Sequence, residues 1–143
     1  MDGSRKLRRE GRRTALFYSE DGGGDWLDQA RFTLHTAESL LVGGLAEEAI
    51  SSSFLAMLYV ARAALEGRDC EISGWEGVVQ CFQGEALPEL ALSKENQRAL
   101  PIVADLYRRV VGSREMEADA LTATACIEDA RSFVDEVEAK LLD

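Results

Sequence analysis

The sequence predicts an all-α protein, an up-and-down bundle of four long helices plus a short additional helix. Only two prolines occur among 143 residues, and alanine, leucine and glutamate are frequent, which favours helix. Apolar residues recur at alternating steps of three and four in separate stretches, the spacing of one helix face. The sequence shows neither the alternation typical of a strand nor an internal repeat. A chain of this length has room for one domain with a core.

The first predicted helix begins near Asp25. Its apolar face is formed by Leu27, Ala30, Leu34, Ala37 and Leu41. Gly43-Gly44 follows, and glycine commonly ends a helix because it adopts positive φ without strain. The next helix covers Leu45 to Leu65. Two helices joined so tightly must lie antiparallel, so the sequence predicts an αα-hairpin.

The second helix carries small and apolar residues on more than one face. The small residues, which let a neighbouring helix approach closely, are Ala46, Ala49, Ser53, Ala56, Ala63 and Ala64. A helix that is apolar on several faces is buried on several sides. We therefore predict a homodimer whose interface includes Phe54, Leu58 and Tyr59. The alternative is that this is the central core helix of a monomer.

The middle of the chain is predicted to hold a turn, a short helix and an irregular connection. Glu66 to Asp69 forms the turn. Ser73 and Glu76 have the spacing of a capping box that opens a helix through about Gln83. Residues 84–92 contain Pro88 and are expected to be irregular.

Two long helices complete the prediction. Ser93 is a suitable N-cap for a helix from Lys94 to Val111, in which Pro101 produces either a kink or two abutting pieces. Gly112-Ser113 ends it. The last helix begins near Glu117. Its apolar face is Ala123, Ile127, Ala130, Val134, Val137 and Leu141.

Charge divides the chain into two predicted parts, a flexible basic N-terminal tail at residues 1–24 and a bundle domain at residues 25–143. Residues 1–13 carry six basic and two acidic side chains, giving +4, and the remainder carries ten basic and twenty-four acidic ones, giving −14. A body this acidic repels duplex DNA. The tail could bind phosphates. The alternatives are a solvated tail, or a start codon placed upstream of the true one.

The cysteines and the apolar runs predict a cytoplasmic protein. Cys70, Cys81 and Cys126 are odd in number and widely spaced, so we expect reduced thiols, with Cys81 and Cys126 buried as small apolar residues. No apolar run reaches the length of a membrane span, because Arg62 and the glutamates interrupt the best candidate. The charged N-terminus lacks the apolar core of a secretory signal.

The hairpin from Ala37 to Leu65 resembles the opening hairpin of HEPN domains, helical bundles named for nucleotide binding in higher eukaryotes and prokaryotes. The family's first helix ends "A-x-x-L-L-x-x-G-x", and here Ala37-Glu38-Ser39-Leu40-Leu41 precedes the glycines. Phe54-Leu55 stands where the family has an aromatic pair. Trp75 to Phe82 resembles the short third helix, with Trp75 in place of a histidine. The resemblance extends from Trp26 to Leu141 and implies the bundle fold and a two-fold dimer.

The resemblance also implies where chemistry would lie, because many HEPN domains of toxin systems cleave RNA with an arginine and a later histidine that are separated by four to six residues. Arg108 fits the arginine, but the histidine positions fall between Ser113 and Glu115, and none of them is histidine. The single histidine, His35, lies in the first helix. We therefore predict a domain without ribonuclease activity. The alternative is a divergent, metal-independent endoribonuclease that uses Arg108 with Ser113 or Glu115.

What the motif region retains is a basic group. Tyr107, Arg108, Arg109 and Arg114 are predicted to bind a nucleotide or phosphate, with the tyrosine ring stacking on a base. Alternatively, Arg108 and Arg109 pair with acidic residues of the helix. The sequence indicates no cofactor or metal, because one histidine near Glu38 cannot build a di-iron site. The predicted function is a non-catalytic HEPN-like module whose implied partners are a nucleotide, RNA or a nucleotidyltransferase. A pure dimerisation domain is the other alternative.

Overall fold

The structure, a computed structural model, describes residues 23–143. Helices account for most of these residues. These residues contain no strand, and the predicted all-α bundle is confirmed. The helices are α1 (Gly23–Val42), α2 (Ala46–Ala64), α3 (Gly74–Cys81), α4 (Leu87–Leu90), α5 (Lys94–Tyr107) and α6 (Ala120–Leu142). Helix α1 begins two residues inside the predicted tail, and the rest of that tail lies outside the described residues.

The predicted hairpin between α1 and α2 is confirmed in detail. Gly44 has φ of +82°. Its N–H donates to Leu41 O at 2.9 Å, and the N–H of Leu45 donates to Leu40 O at 2.9 Å. These two bonds satisfy carbonyls that the end of a helix otherwise leaves without partners. The positive φ explains why glycine stands at this turn.

Helix α2 is the centre of the bundle and contacts α1, α3, α5 and α6. Phe54, Leu58 and Tyr59 are exposed by only 2%, 3% and 6% within a single chain. The small residues of α2 therefore serve close packing inside one chain. The apolar faces on several sides are covered by the protein itself, as in the central-helix alternative, so they do not by themselves call for a partner chain.

The prediction of an irregular segment at residues 84–92 is wrong for most of its length. Helix α3 continues through a π-helical turn, Phe82–Ala86, directly into α4. Phe82 and Ala86 are both completely buried, so core packing holds this turn in helical form. Pro88 stands in the first turn of α4, where its missing N–H has no intrahelical partner to lose. The helix ends at Ala91, which has φ of +55°.

The predicted capping box at Ser73 is also wrong. Ser73 has the extended backbone of an N-cap, but its side chain makes no capping hydrogen bond. Ser93, by contrast, caps α5 as predicted, because its hydroxyl accepts from the N–H of Asn96 at 3.3 Å. Asp119 caps α6 by accepting from the N–H of Thr122 at 2.7 Å, so α6 begins at Ala120 rather than near Glu117.

Helices α5 and α6 otherwise follow the prediction. Pro101 lies inside one uninterrupted helix, which then widens into a π-helical turn, Arg108–Gly112. The apolar face of α6 is buried from Ala123 to Val137, and Leu141 at its end is half-buried. Within residues 23–143, no helix combines the length and the apolar character needed to cross a bilayer.

The expectation of three reduced thiols is wrong, because Cys70 and Cys81 form a disulfide. Cys70 lies in the connection between α2 and α3, and Cys81 is the last residue of α3. The connection folds back along the helix, and the two sulfur atoms meet although eleven positions separate them in the sequence. Cys126 is a free, buried thiol, as predicted. The disulfide removes one of the three grounds on which a cytoplasmic protein was predicted, that of reduced cysteines.

Candidate functional site

An apolar groove lies between α2, α3 and α5 and has a volume of about 400 Å³. Its lining residues are Ser51, Phe54, Leu55, Leu58, Gly74, Trp75 and Tyr107. Helix α2 forms the floor, because Phe54 and Leu58 are anchored in the core. The first turn of α3 and the end of α5 form the two walls. The groove therefore joins residues predicted for the dimer interface with one predicted for the nucleotide site.

Three aromatic rings give the groove its shape. The rings of Phe54 and Tyr107 are tilted by 34° with centroids 4.9 Å apart. The Trp75 ring meets Phe54 edge-on at 5.2 Å and Tyr107 edge-on at 5.7 Å. Edge-to-face and tilted contacts at these separations are favourable for aromatic pairs. The three rings fix one another, so the groove is formed before any ligand enters it.

Arg108 places a positive charge against the Trp75 ring, which forms one wall of the groove. Its guanidinium lies 5.1 Å from the centroid of the Trp75 ring, within the range of a cation–π contact. The side chain is about half exposed, and its Nη1 is 3.8 Å from Oδ1 of Asp105. Arg108 also lines a second, smaller depression on the far side of Trp75. The structure thus brings Tyr107, Trp75 and Arg108 together.

The other two predicted arginines have partners elsewhere. Nε of Arg109 lies 3.1 Å from Oδ2 of Asp105, one helical turn away. Nη1 of Arg114 lies 3.2 Å from Oε1 of Glu47, at the start of α2. Arg114 has φ of +59° and lines a different depression, together with Glu47 and Met116. Arg109 and Arg114 therefore do not line the aromatic groove. The alternative pairing with an acidic residue of the helix is made by Arg108 and Arg109, both with Asp105.

Tyr59 points away from the groove, unlike Phe54 and Leu58. Its ring lies 5.7 Å from that of Trp26, and burial raises the pKa of its hydroxyl above the ordinary value. The guanidinium of Arg62 lies 5.0 Å from the centroid of the same Trp26 ring, and burial lowers the pKa of Arg62. The residues predicted for one interface are thus divided between two sides of α2.

The sequence analysis missed Leu55 as a site residue and did not link Trp75 to Tyr107. Leu55 is half-buried on α2, one position after Phe54. Trp75 and Tyr107 are separated by 32 positions, and no spacing rule connects residues so far apart. The sequence held one signal for this site: Trp75 stands where the family has a histidine, and it puts a large ring near the motif region.

The residues considered for catalysis are not arranged around the groove. The Ser113 hydroxyl donates to Oε2 of Glu115 at 3.2 Å, in the exposed segment after α5. Nδ1 of His35 lies 3.6 Å from Oε1 of Glu38 on α1, and its side chain is 79% exposed. Among residues 23–143, no group of three histidine, cysteine or acidic side chains is placed to hold a metal ion.

Comparison with known proteins agrees with the helical architecture. The family model described as HEPN domain matches residues 24–140, which include all the helices except the two ends of the described chain. A search of curated proteins found no match to the chain.

Proposed function

This chain belongs to the HEPN domain family, and we propose that it is a non-catalytic binding module that holds a nucleotide or the end of an RNA strand in the aromatic groove. The observation that carries this proposal is the position of Arg108, whose guanidinium lies on the Trp75 ring that forms one wall of the groove, next to Tyr107 in the chain. A base has an apolar face that aromatic side chains accept, and its phosphate is an anion that a guanidinium binds.

The ion pair of Arg108 with Asp105 is weak, so a phosphate can replace Asp105 as the partner of the guanidinium. Its contact with Asp105 is 3.8 Å long and both side chains are more than half exposed, so this ion pair is worth little. A phosphate offers Arg108 two oxygens for parallel, charge-assisted hydrogen bonds. Each base that stacks on an aromatic ring adds about 1–3 kcal/mol. The acidic body repels the rest of a long polyanion, which limits binding to a short segment.

Thermal unfolding against single ligands tests this proposal. Ligands that bind only the folded protein raise the unfolding midpoint by mass action. The panel contains ATP, UTP, the monophosphates of adenosine and uridine, and a short single-stranded RNA. Arg108→Ala is expected to lose the shift. Arg98→Ala is the matched control, because Arg98 is an arginine of α5 that lines a depression containing neither Trp75 nor Tyr107.

Two results would contradict the proposal. One is a midpoint shift of equal size in Arg108→Ala and in the unmodified protein, since the ligand would then bind elsewhere. The other is the absence of any shift at millimolar ligand. Cleavage of the same RNA is measured in parallel, and the unmodified protein and Arg108→Ala are both expected to remain at background. Cleavage that depends on Arg108 would favour the endoribonuclease alternative.

A second candidate function, dimerisation through the same groove, is favoured by the apolar character of its lining. Leu55 is the residue to change, because it is half-buried and lines the groove. Leu58 and Tyr59 are core residues, and a charge at either position would unfold the chain. In sedimentation, Leu55→Glu is expected to convert a dimer to a monomer. Phe32→Glu, at an exposed position of α1, is expected to leave the dimer intact. A dimer that survives Leu55→Glu would rule out this interface.

A nucleotidyltransferase, as in toxin–antitoxin pairs of the family, is the protein partner we propose to test next.

A further inference from the structure

The Cys70–Cys81 disulfide closes a loop that contains one wall of the aromatic groove. Gly74 and Trp75, both lining residues, lie between the two cysteines in the sequence. The bond joins Cys70, in the second half of the α2–α3 connection, to the end of α3, so it fixes the direction in which the connection enters the helix. The position of the Trp75 ring depends on that direction, because Trp75 is in the first turn of α3.

Helix α3 is attached to the core through Val78, Val79 and the Phe82 that follows it, whereas its first turn has no fully buried side chain. It is eight residues long, and Val78 is its one fully buried side chain. A helix this short is not stable by itself and needs tertiary contacts to hold it. Trp75 contributes the contacts with Phe54 and Tyr107, and these are edge contacts at a half-open surface. The disulfide is therefore a large part of what keeps the first turn of α3 in place.

The connection lies directly against α3. Gly77 leaves room for it, since a Cβ at that position would come within 3.4 Å of the Cα of Ile72. The connection before Cys70 is attached separately to the π-helical turn and to α4. Arg68 donates from Nη1 to Glu85 O at 3.0 Å and from Nη2 to Glu89 at 2.7 Å. Opening the disulfide would thus remove one restraint on residues 69–76 and leave the packing of Ile72 and Trp75 to hold them, while the π-helical turn and α4 keep their own contacts.

The disulfide is also accessible to thiol reagents. Both cysteines are half-buried at the surface, whereas Cys126 is 2% exposed in the core. We propose that the Cys70–Cys81 bond is a redox switch of the groove: when oxidised it holds Trp75 against Tyr107, and when reduced it releases Trp75 and opens that wall. The consequence for ligand binding rests on the proposed function, whereas the movement of Trp75 does not.

The reductant is a dithiol, either a small molecule or a protein. One of its thiolates attacks a sulfur of the Cys70–Cys81 bond and forms a mixed disulfide, releasing the other cysteine as a thiolate. The second thiol of the reductant then attacks the mixed disulfide and releases the remaining cysteine. The protein gains two electrons and two protons, and the dithiol becomes a disulfide. Oxidation reverses each step.

The test compares the full chain before and after treatment with dithiothreitol. Acrylamide quenching of tryptophan fluorescence reports mainly on Trp75, because Trp26 is 1% exposed. We expect the quenching constant to rise about twofold on reduction, and amide exchange at residues 70–76 to accelerate about tenfold, with α1 unchanged. Cys70→Ser/Cys81→Ser should reproduce the reduced state without dithiothreitol. In Trp75→Phe the change in quenching should vanish.

Three results would overturn the proposal. The denatured, untreated protein could titrate as three thiols instead of one, which would mean that the bond does not form. The reduced protein, with three thiols titrated, could keep the quenching and exchange of the oxidised protein. Reduction could also abolish helical circular dichroism throughout, which would make the bond a stabiliser of the whole fold. An oxidised protein that binds no ligand of the panel, with none of these three results, would contradict the proposed function alone.

Discussion

The bundle has two faces that are closed in different ways. Where α1 meets α6, charged side chains cross the contact: Arg31 reaches Asp135 at 2.6 Å and Glu138 at 2.8 Å, and Arg131 pairs with Glu38. Where α2, α3 and α5 meet, aromatic rings pack on one another and a groove remains. One face satisfies its charges within the chain, and the other leaves apolar surface open beside a cation.

This difference separates stability from recognition. Exposed ion pairs contribute little energy each, and those between α1 and α6 already have their partners. Buried aromatic rings contribute several times more, and in this protein the same rings shape the groove. A substitution on the aromatic face is therefore expected to affect both the fold and the binding surface, whereas one on the charged face should affect neither strongly.

The largest expected effect comes from the floor of the groove. Phe54→Ala removes a ring that is 2% exposed and contacts both Trp75 and Tyr107, so it should lower the free energy of unfolding by about 3–5 kcal/mol. Denaturant titration measures this. Phe32→Ala, at a position 70% exposed, is the control and should change the free energy by less than about 0.5 kcal/mol. Equal losses in both variants would refute the comparison.

A smaller effect is expected where α5 meets α6 through a polar network. Nδ2 of buried Asn96 donates to Oε1 of Glu136 at 2.7 Å, and the N–H of Ser93 donates to Oε2 at 2.9 Å. The hydrogen bond from Asn96, followed by those from Ser93, holds the pKa of Glu136 below its ordinary value. Asn96→Ala should lower the free energy of unfolding by about 1–3 kcal/mol.

The same network predicts a pH dependence. The depressed pKa of Glu136 means that its stabilisation is present above the unfolded-state pKa, about 4.3, and is lost as pH falls through the lower folded-state pKa. The thermal midpoint is measured from pH 7 down to pH 3, a range of about four units. As the pH falls, the midpoint should decrease less steeply in Asn96→Ala than in the unmodified protein. Parallel curves for the two proteins would show that this hydrogen bond does not set the pKa.

The charged face should respond still more weakly. Arg31→Met keeps the aliphatic part of the side chain and removes its ion pairs with Asp135 and Glu138. The free energy of unfolding should fall by at most about 1 kcal/mol at low salt, and this difference should shrink in about 1 M salt because exposed charges are screened. A loss comparable to that of Phe54→Ala would show that the two faces do not differ in the way described.

The smallest effect is expected for Arg109→Ala. Arg109 pairs with Asp105 at the surface, 3.1 Å away, and does not line the groove. Removing it should change the free energy of unfolding by less than about 0.5 kcal/mol and leave ligand-induced shifts of the midpoint unchanged. Calorimetry with the best ligand of the panel measures both quantities. A lost shift would place Arg109 in the site beside Arg108.

Local patterns in the sequence were sufficient for much of the fold. Ala30 and Ala130 belong to apolar faces that the helical period alone locates, and Gly44 and Ser93 act on their nearest neighbours. Residues 84–90 were mispredicted because Pro88 was read as a helix breaker. Its place in a first turn follows only from burial of Phe82 and Ala86 before it.

The site was less accessible to sequence reasoning, because it depends on residues far apart in the chain. Tyr107 and Arg108 are neighbours, so their grouping was predictable. Arg114 was grouped with them by proximity, but the π-helical turn and its own positive φ carry it to Glu47 instead. The Cys70–Cys81 bond requires the connection to fold back on α3, and two cysteines at this separation do not reveal that path.

The single free thiol, Cys126, is a built-in probe of how often the bundle opens. Burial raises the pKa of Cys126 to about 12, even though a hydrogen bond with Ser53 acts in the opposite direction. A thiol that is both buried and protonated reacts with an alkylating reagent only during moments when α6 separates from α2. The rate of labelling in the oxidised protein therefore measures how often the centre of the bundle opens, in native buffer and without a dye, a denaturant or an engineered probe.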